Sequence, residues 1–138
     1  MTRGVRNNNP FNIRISNNKW VGKLPLKENT DGVFEQFRDM ELGVRAGIKL
    51  IRQYYVKYKL KTVKQIIERF APPSENNTIA YVLFCERIVK DDPFGDCSLM
   101  NFCITLARAI CWYESKYDLP REQALEVCKK YYLFPGEI

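Results

Sequence analysis

Polar residues that could carry chemistry fall into four groupings: Asn9, Asn12 and Arg14; Asp31 and Glu35; Ser74 to Thr78 with Tyr81; and Glu114 with Ser115. Glu114 stands apart from the rest. In the stretch Cys97–Tyr117, CSLMNFCITLARAICWYESKY, the residues Leu99, Phe102, Cys103, Leu106, Ala107 and Ile110 recur at helical spacing, and Trp112 to Glu114 come next on that face. A carboxylate on or beside an apolar stripe has two uses. It is paired structurally, here with an arginine such as Arg14 or Arg45, or it is kept uncharged for chemistry, because burial favours the neutral acid and a neutral acid can protonate a leaving group. The loop groupings combine amides, hydroxyls and nearby aromatic rings, which suit a sugar's hydroxyls and its apolar ring face. The same residue types also form turns and helix caps, so the residues alone leave both readings open.

The chain contains no histidine. Serine–histidine and cysteine–histidine nucleophile arrangements are thereby excluded, together with the usual histidine-containing zinc hydrolase sites. Hydrolytic or eliminating chemistry would have to rest on carboxylates, tyrosine, lysine or arginine, and no metal or organic cofactor is called for. Cys85, Cys97, Cys103, Cys111 and Cys128 form no CxxC pair and lie mostly on predicted helical faces, which reads as reduced core thiols. A net charge of +6 and a pI near 9.1 fit a polyanionic partner, either nucleic acid or an acidic cell-wall polymer. The basic residues are scattered, with no nucleic-acid motif, so a solvated surface with a mild positive field is the default.

The elements that would position these groups follow from period and punctuation. Asn7-Asn8-Asn9-Pro10 is a dense turn signal. Phe11, Ile13 and Ile15 then alternate with Asn12, Arg14 and Ser16, which predicts a short half-buried strand with Asn12 and Arg14 on its wet side. A weaker extended segment, Trp20–Leu26, and an aromatic one, Val33–Phe37, flank a turn at Asn29–Gly32. Together they predict a small antiparallel β element. From Met40 the period becomes helical, with Asp39 as cap and an end near Lys59. Further helices are predicted at Val63–Phe70 after Thr62, from Asn77 or Thr78 through Val89, over Cys97–Tyr117, and after Pro120 through Tyr132. The expected fold is mainly α (α+β), a single domain over residues 1–138 with about five helices, a small N-terminal β element and one core. No run reaches the length of a membrane span, and the N-terminus has no apolar signal core.

Ala109-Ile110-Cys111-Trp112-Tyr113-Glu114-Ser115 resembles the helix end that delivers the catalytic glutamate in lytic transglycosylases and in the glucosaminidase branch of the lysozyme-like superfamily. Other pieces of that pattern are similar to Asn9–Arg14, to Gly32–Phe37 followed by Gly43–Ala46, and to Ala71–Pro73 running through Asn76-Asn77-Thr78 to Tyr81. The glutamate helix stands last here, so the resemblance implies a circularly permuted lysozyme-like fold. The N-terminal half, RGVRNNNPFNIR with Trp20, FEQF and APPSENNT, also resembles small phage and prophage proteins described as structural or lysis-related. Where the family pattern has glycine, this chain has Phe11 and, directly after the Glu-Ser pair, Lys116.

The resemblance implies a peptidoglycan-cleaving muramidase, of lytic transglycosylase type, acting on the bond between N-acetylmuramic acid and N-acetylglucosamine. Glu114 would be the acid and base. Asp31 or Glu35 would serve as a second carboxylate only if one projects across the cleft, in which case the enzyme would be a hydrolase. Asn12, Arg14, Trp20, Asn76, Tyr81 and Ser115 would bind substrate, with Ser115 orienting the glutamate or the sugar. The implied partners are peptidoglycan glycan strands and other phage virion or lysis proteins. The implied setting is synthesis in a bacterial cytoplasm without a signal peptide, with action at the wall after lysis or as part of a virion. Two rivals remain: a non-catalytic virion or glycan-binding protein with this fold, and a basic nucleic-acid-binding accessory protein, suggested by charge and by helices such as Gln53–Lys61.

Overall fold

The computed structural model describes residues 1–73 and 77–137. Within them the chain is mainly helical: α1 (Arg3–Arg6), α2 (Met40–Val56), α3 (Val63–Phe70), α4 (Thr78–Asp91), α5 (Leu99–Ser115) and α6 (Arg121–Lys130), with a 3-10 turn at Leu26–Glu28. Side-chain caps start most of the long helices, because the first backbone N–H groups of a helix have no partner within it. Asp39 accepts from Leu42 N, Asn77 from Ala80 N and Ser98 from Asn101 N. Thr62 and Gln65 form a reciprocal capping box on α3. Helix α2 ends at Val56, a little before the expected Lys59. The one-turn α1, capped by Thr2, is too short to leave a periodic signal.

Helix α5 is the central element, packed against α1, α2, α4 and α6. It buries Cys103, Ile104, Leu106, Ala107, Ile110 and Cys111 completely, and Ile48, Ile51, Ile66, Ile67, Cys85 and Cys128 from its neighbours join the same apolar cluster. All five cysteines are free thiols, and only Cys97 is exposed. Burial pushes the thiols of Cys85 and Cys128 up to about 12 and raises those of Cys103 and Cys111 well above the usual thiol value. A thiol reagent at neutral pH is therefore expected to label Cys97 rapidly in the native protein, and the other four only after denaturant is added. Fast labelling of more than one thiol per native chain would contradict this core.

The N-terminal β element differs from expectation. Among the described residues it consists of two isolated antiparallel bridges, Arg14 with Phe34 and Lys23 with Phe37. Extended backbone is interrupted by left-handed residues at Asn12 (φ 54°) and Gly22 (φ 82°). Side chains replace much of the missing ladder. Asn9 Nδ2 donates to the carbonyls of Ile13 (3.0 Å) and Glu35 (2.9 Å), while Asn9 Oδ1 accepts from Ile13 N at 3.0 Å. The burial alternation is nevertheless the predicted one, with Phe11 and Ile13 buried and Arg14 exposed.

Asp31 ties this segment to the N-terminus. Its carboxylate accepts two hydrogen bonds from Arg3, each 2.7 Å, and one from Asn7 Nδ2 at 2.9 Å, while Oδ1 also accepts from Val33 N and Phe34 N. The Arg3 guanidinium holds the Asp31 carboxyl well below the usual carboxylate range. A depressed native pKa stabilises the fold above the unfolded value and loses that contribution as the pH falls through the native one. Asp31→Asn is accordingly expected to lower the thermal midpoint at pH 7. Its deficit should shrink as the pH drops below the ordinary aspartate value of about 3.9, and an undiminished deficit in strong acid would contradict the linkage.

Candidate functional site

Helix α5 carries Glu114 in its last turn, half-buried, at the edge of the core rather than within it. The helix then closes at Lys116, whose backbone is left-handed (φ 53°, ψ 28°), so that the Lys116 and Tyr117 N–H groups return to the carbonyls of Trp112 (3.0 Å) and Cys111 (3.2 Å). This is a conformation glycine adopts without steric cost and lysine does not, at about 1 kcal/mol. Phe11 is different. It has no left-handed backbone, and its ring lies against Gly47 of α2, where a Cβ would come within 2.0 Å of it.

Glu114 opens onto a cleft of about 300 Å³. One wall comes from the N-terminal segment through Asn12, Arg14, Ser16, Asn18, Trp20 and Phe34. Opposite it stand Leu50 and Tyr54 of α2 and Arg69 to Pro72 at the end of α3. Glu114 is the one acidic side chain among the described residues of that lining. Asn12 Nδ2 donates to Glu114 Oε1 at 3.0 Å and lies 3.5 Å from its carbonyl oxygen. The backbone at Asn12, which makes this contact, is left-handed. No arginine or lysine among the described residues reaches the carboxylate, so the ion pair with Arg14 or Arg45 is not formed. Arg45 instead lies over the Tyr131 ring, and Arg14 over Phe34.

Tyr81 of α4, a predicted substrate-binding residue, lies beneath this site and does not line the cleft: it is buried and stacked on Tyr113 with centroids 3.9 Å apart. Its phenol is pushed well above the usual tyrosine value, first by burial and then by the facing Glu114 carboxylate. The two groups are close enough to interact, but the hydroxyl makes no hydrogen bond of ordinary geometry. Asn12 Oδ1 and Trp20 Nε1 are likewise buried without a partner beside the cleft. Polar atoms left unsatisfied at one place are costly to a fold and available to a ligand.

Three sequence-predicted residues are placed elsewhere. Ser115 is 1% exposed and its hydroxyl donates to the Pro10 carbonyl at 2.8 Å, so it fastens the helix end to the N-terminal segment and does not line the cleft. Its neighbour Glu114 is about 100° away around the helix, which is why the adjacent residues face differently. Glu35 is buried, accepting from Lys23 Nζ at 3.0 Å and Ser16 N at 3.3 Å, and lies outside the cleft. Asp31 is held by Arg3 and also lies outside it. Neither can act there as a second carboxylate. Asn76, with Ser74 and Glu75, falls outside the described residues.

The structure adds Tyr54, Phe34 and Arg69 to the cleft. Arg69 lies over Tyr54 and Tyr58, at 5.8 and 5.1 Å from their centroids. Tyr54 falls on the helical stripe of α2 and so reads from sequence as core. Arg69 carries no pattern that would single it out.

Fold and cleft together define a mainly helical protein with one glutamate presented to an aromatic, amide-rich groove. Over 85 residues, 59% of this chain, it is 42% identical to Protein P5 of Pseudoalteromonas phage PM2, and the match covers 52% of that protein. The chain thus spans about half the length of that relative, and the similarity supports a bacteriophage connection. No protein-family model matches the chain. No helix among the described residues is long and apolar enough to cross a membrane.

Proposed function

We propose that this protein cleaves peptidoglycan glycan strands between N-acetylmuramic acid and N-acetylglucosamine by the lytic transglycosylase route, with Glu114 as both acid and base. One observation carries the reading. Among the described residues, Glu114 is the single carboxylate of the cleft, and it is held there by the neutral Asn12 amide instead of a cation. Most hydrolytic glycosidases use a second carboxylate about 5–10 Å away, as nucleophile or as base for water. Asp31 and Glu35 are both committed elsewhere.

In this scheme the Glu114 carboxylic acid gives its proton to the glycosidic oxygen as the bond from muramic C1 to that oxygen breaks. The departing N-acetylglucosamine leaves with a free 4-hydroxyl. The muramic 6-hydroxyl then bonds to C1 and returns its proton to the Glu114 carboxylate, so the acid is regenerated and no water is consumed. Asn12 fixes one carboxylate oxygen through both steps. Trp20, Phe34 and Tyr54 supply ring faces for the sugars. The phage-related setting fits action at the wall after lysis or from a virion.

Digestion of purified sacculi with mass spectrometry of the soluble products tests this directly. Muropeptides with 1,6-anhydro ends are expected. Reducing ends would replace the transglycosylase route by hydrolysis, and sacculi that bind the protein without releasing fragments would favour a non-catalytic glycan-binding component.

A further inference from the structure

A second pocket, of about 180 Å³, lies on the other side of α5 from the cleft. Thr105, Arg108, Ala109 and Trp112 line it from α5 at helical spacing, and Glu114 is about 200° further round the helix than Trp112. Phe84, Ile88 and Asp92 of α4 form the facing wall, and Tyr117 to Leu119 close one end.

Its polar groups are only partly used. The Thr105 hydroxyl is fully buried yet has no hydrogen-bond partner, although a helical threonine can ordinarily bond back to its own helix. Arg108 Nε donates to the Leu119 carbonyl at 2.8 Å, which fixes the guanidinium at the pocket. The nearest approach to Asp92 is 3.9 Å from Nη1, too long for a charge-assisted hydrogen bond. Asp118 adds an exposed carboxylate to the rim, while Trp112 leaves 46% of its surface open beside the apolar side chains.

From this arrangement we infer that the pocket is a binding site for a zwitterionic amino-acid unit with an aliphatic side chain. The carboxylate would sit on Arg108, the ammonium between Asp92 and Asp118, and the hydrocarbon against Trp112, Phe84 and Ile88, with Thr105 at the base. The volume is below the 300–1,000 Å³ or so typical of drug-sized ligands, which limits the occupant to about one residue. Two sources share this chemistry, a free amino acid and the end of a wall peptide. The inference does not depend on the reaction proposed for the cleft, since none of these side chains lies there.

Fluorescence titration with norleucine, N-acetylnorleucine, norleucinamide and a muropeptide ending in diaminopimelate separates the possibilities. Norleucine is expected to give a saturable change that disappears in Trp112→Phe, leaving the Trp20 signal unmoved. The two singly blocked forms should bind at least about tenfold more weakly. Thr105→Val should weaken binding without lowering the thermal midpoint, and Glu114→Gln should bind as wild type does. Tighter binding of the muropeptide than of norleucine assigns the site to wall peptide, and the reverse assigns it to the free amino acid. No saturable change at millimolar norleucine, or equal binding of the blocked forms, overturns the inference.

Discussion

Glu114→Gln is expected to cut the release of soluble muropeptides from sacculi by about 10²–10⁴-fold, the usual contribution of a positioned general acid or base. Its thermal midpoint should stay close to that of wild type. The carboxylate has no ion-pair partner to lose among the described residues, and glutamine can still accept from Asn12 through its carbonyl oxygen. A structural glutamate would behave in the opposite way, with stability falling and turnover surviving in whatever fraction stays folded. Asn12→Gly is the informative companion. Glycine tolerates the φ of 54° at that position, so the backbone should hold while the amide is removed. About tenfold lower activity at an unchanged midpoint would show the amide acting through Glu114. If Glu114→Gln releases fragments at the wild-type rate, the acid–base assignment is wrong, whatever the products are.

How much of this was legible in the sequence depended on how local the signal was. Helices α2 to α5 announce themselves because each pairs an apolar stripe with a side-chain cap a few residues away: Asp39, Thr62 with Gln65, Asn77 and Ser98. The Phe11–Ser16 alternation reported burial correctly but not backbone pairing. Its hydrogen bonds come in good part from the side chains of Asn9 and Glu35, and its backbone turns at Asn12. Asp31 and Glu35 look alike in sequence, as carboxylates near a cleft-forming segment. Their fates were decided by Arg3, 28 residues earlier, and by Lys23, and no local pattern encodes such pairings. Glu114 could be found because a carboxylate beside an apolar stripe is a local anomaly. That Asn12 would meet it across 102 residues of sequence was carried by resemblance alone.

Gly43→Ala is expected to lose stability and activity together, against what helix propensity alone would give. Gly43 lies inside α2, and alanine in a helix interior is favoured over glycine by about 1 kcal/mol. Here the added Cβ would come within 1.8 Å of the Asn8 carbonyl oxygen and 2.9 Å of its carbon. The obstacle is backbone and cannot rotate away, so the N-terminal segment must lift from α2. Overpacking of this kind costs about 1–3 kcal/mol, and a backbone clash belongs at the upper end, which leaves a net loss of roughly 1–2 kcal/mol after the propensity gain. The thermal midpoint should fall by a few degrees, on the order of 2–8 °C. The displaced segment also holds Asn9, which pins Ile13 and Glu35, and Asn12, which holds Glu114, so turnover should drop even well below the midpoint, where the protein is folded. Gly32→Ala isolates backbone strain from crowding, because Gly32 has a φ of 85° but nothing within 4 Å of the place its methyl group would take. It should cost about 1 kcal/mol and leave turnover intact. A midpoint raised by Gly43→Ala would mean that the N-terminal segment does not rest on α2, and the cleft as described would lose its near wall.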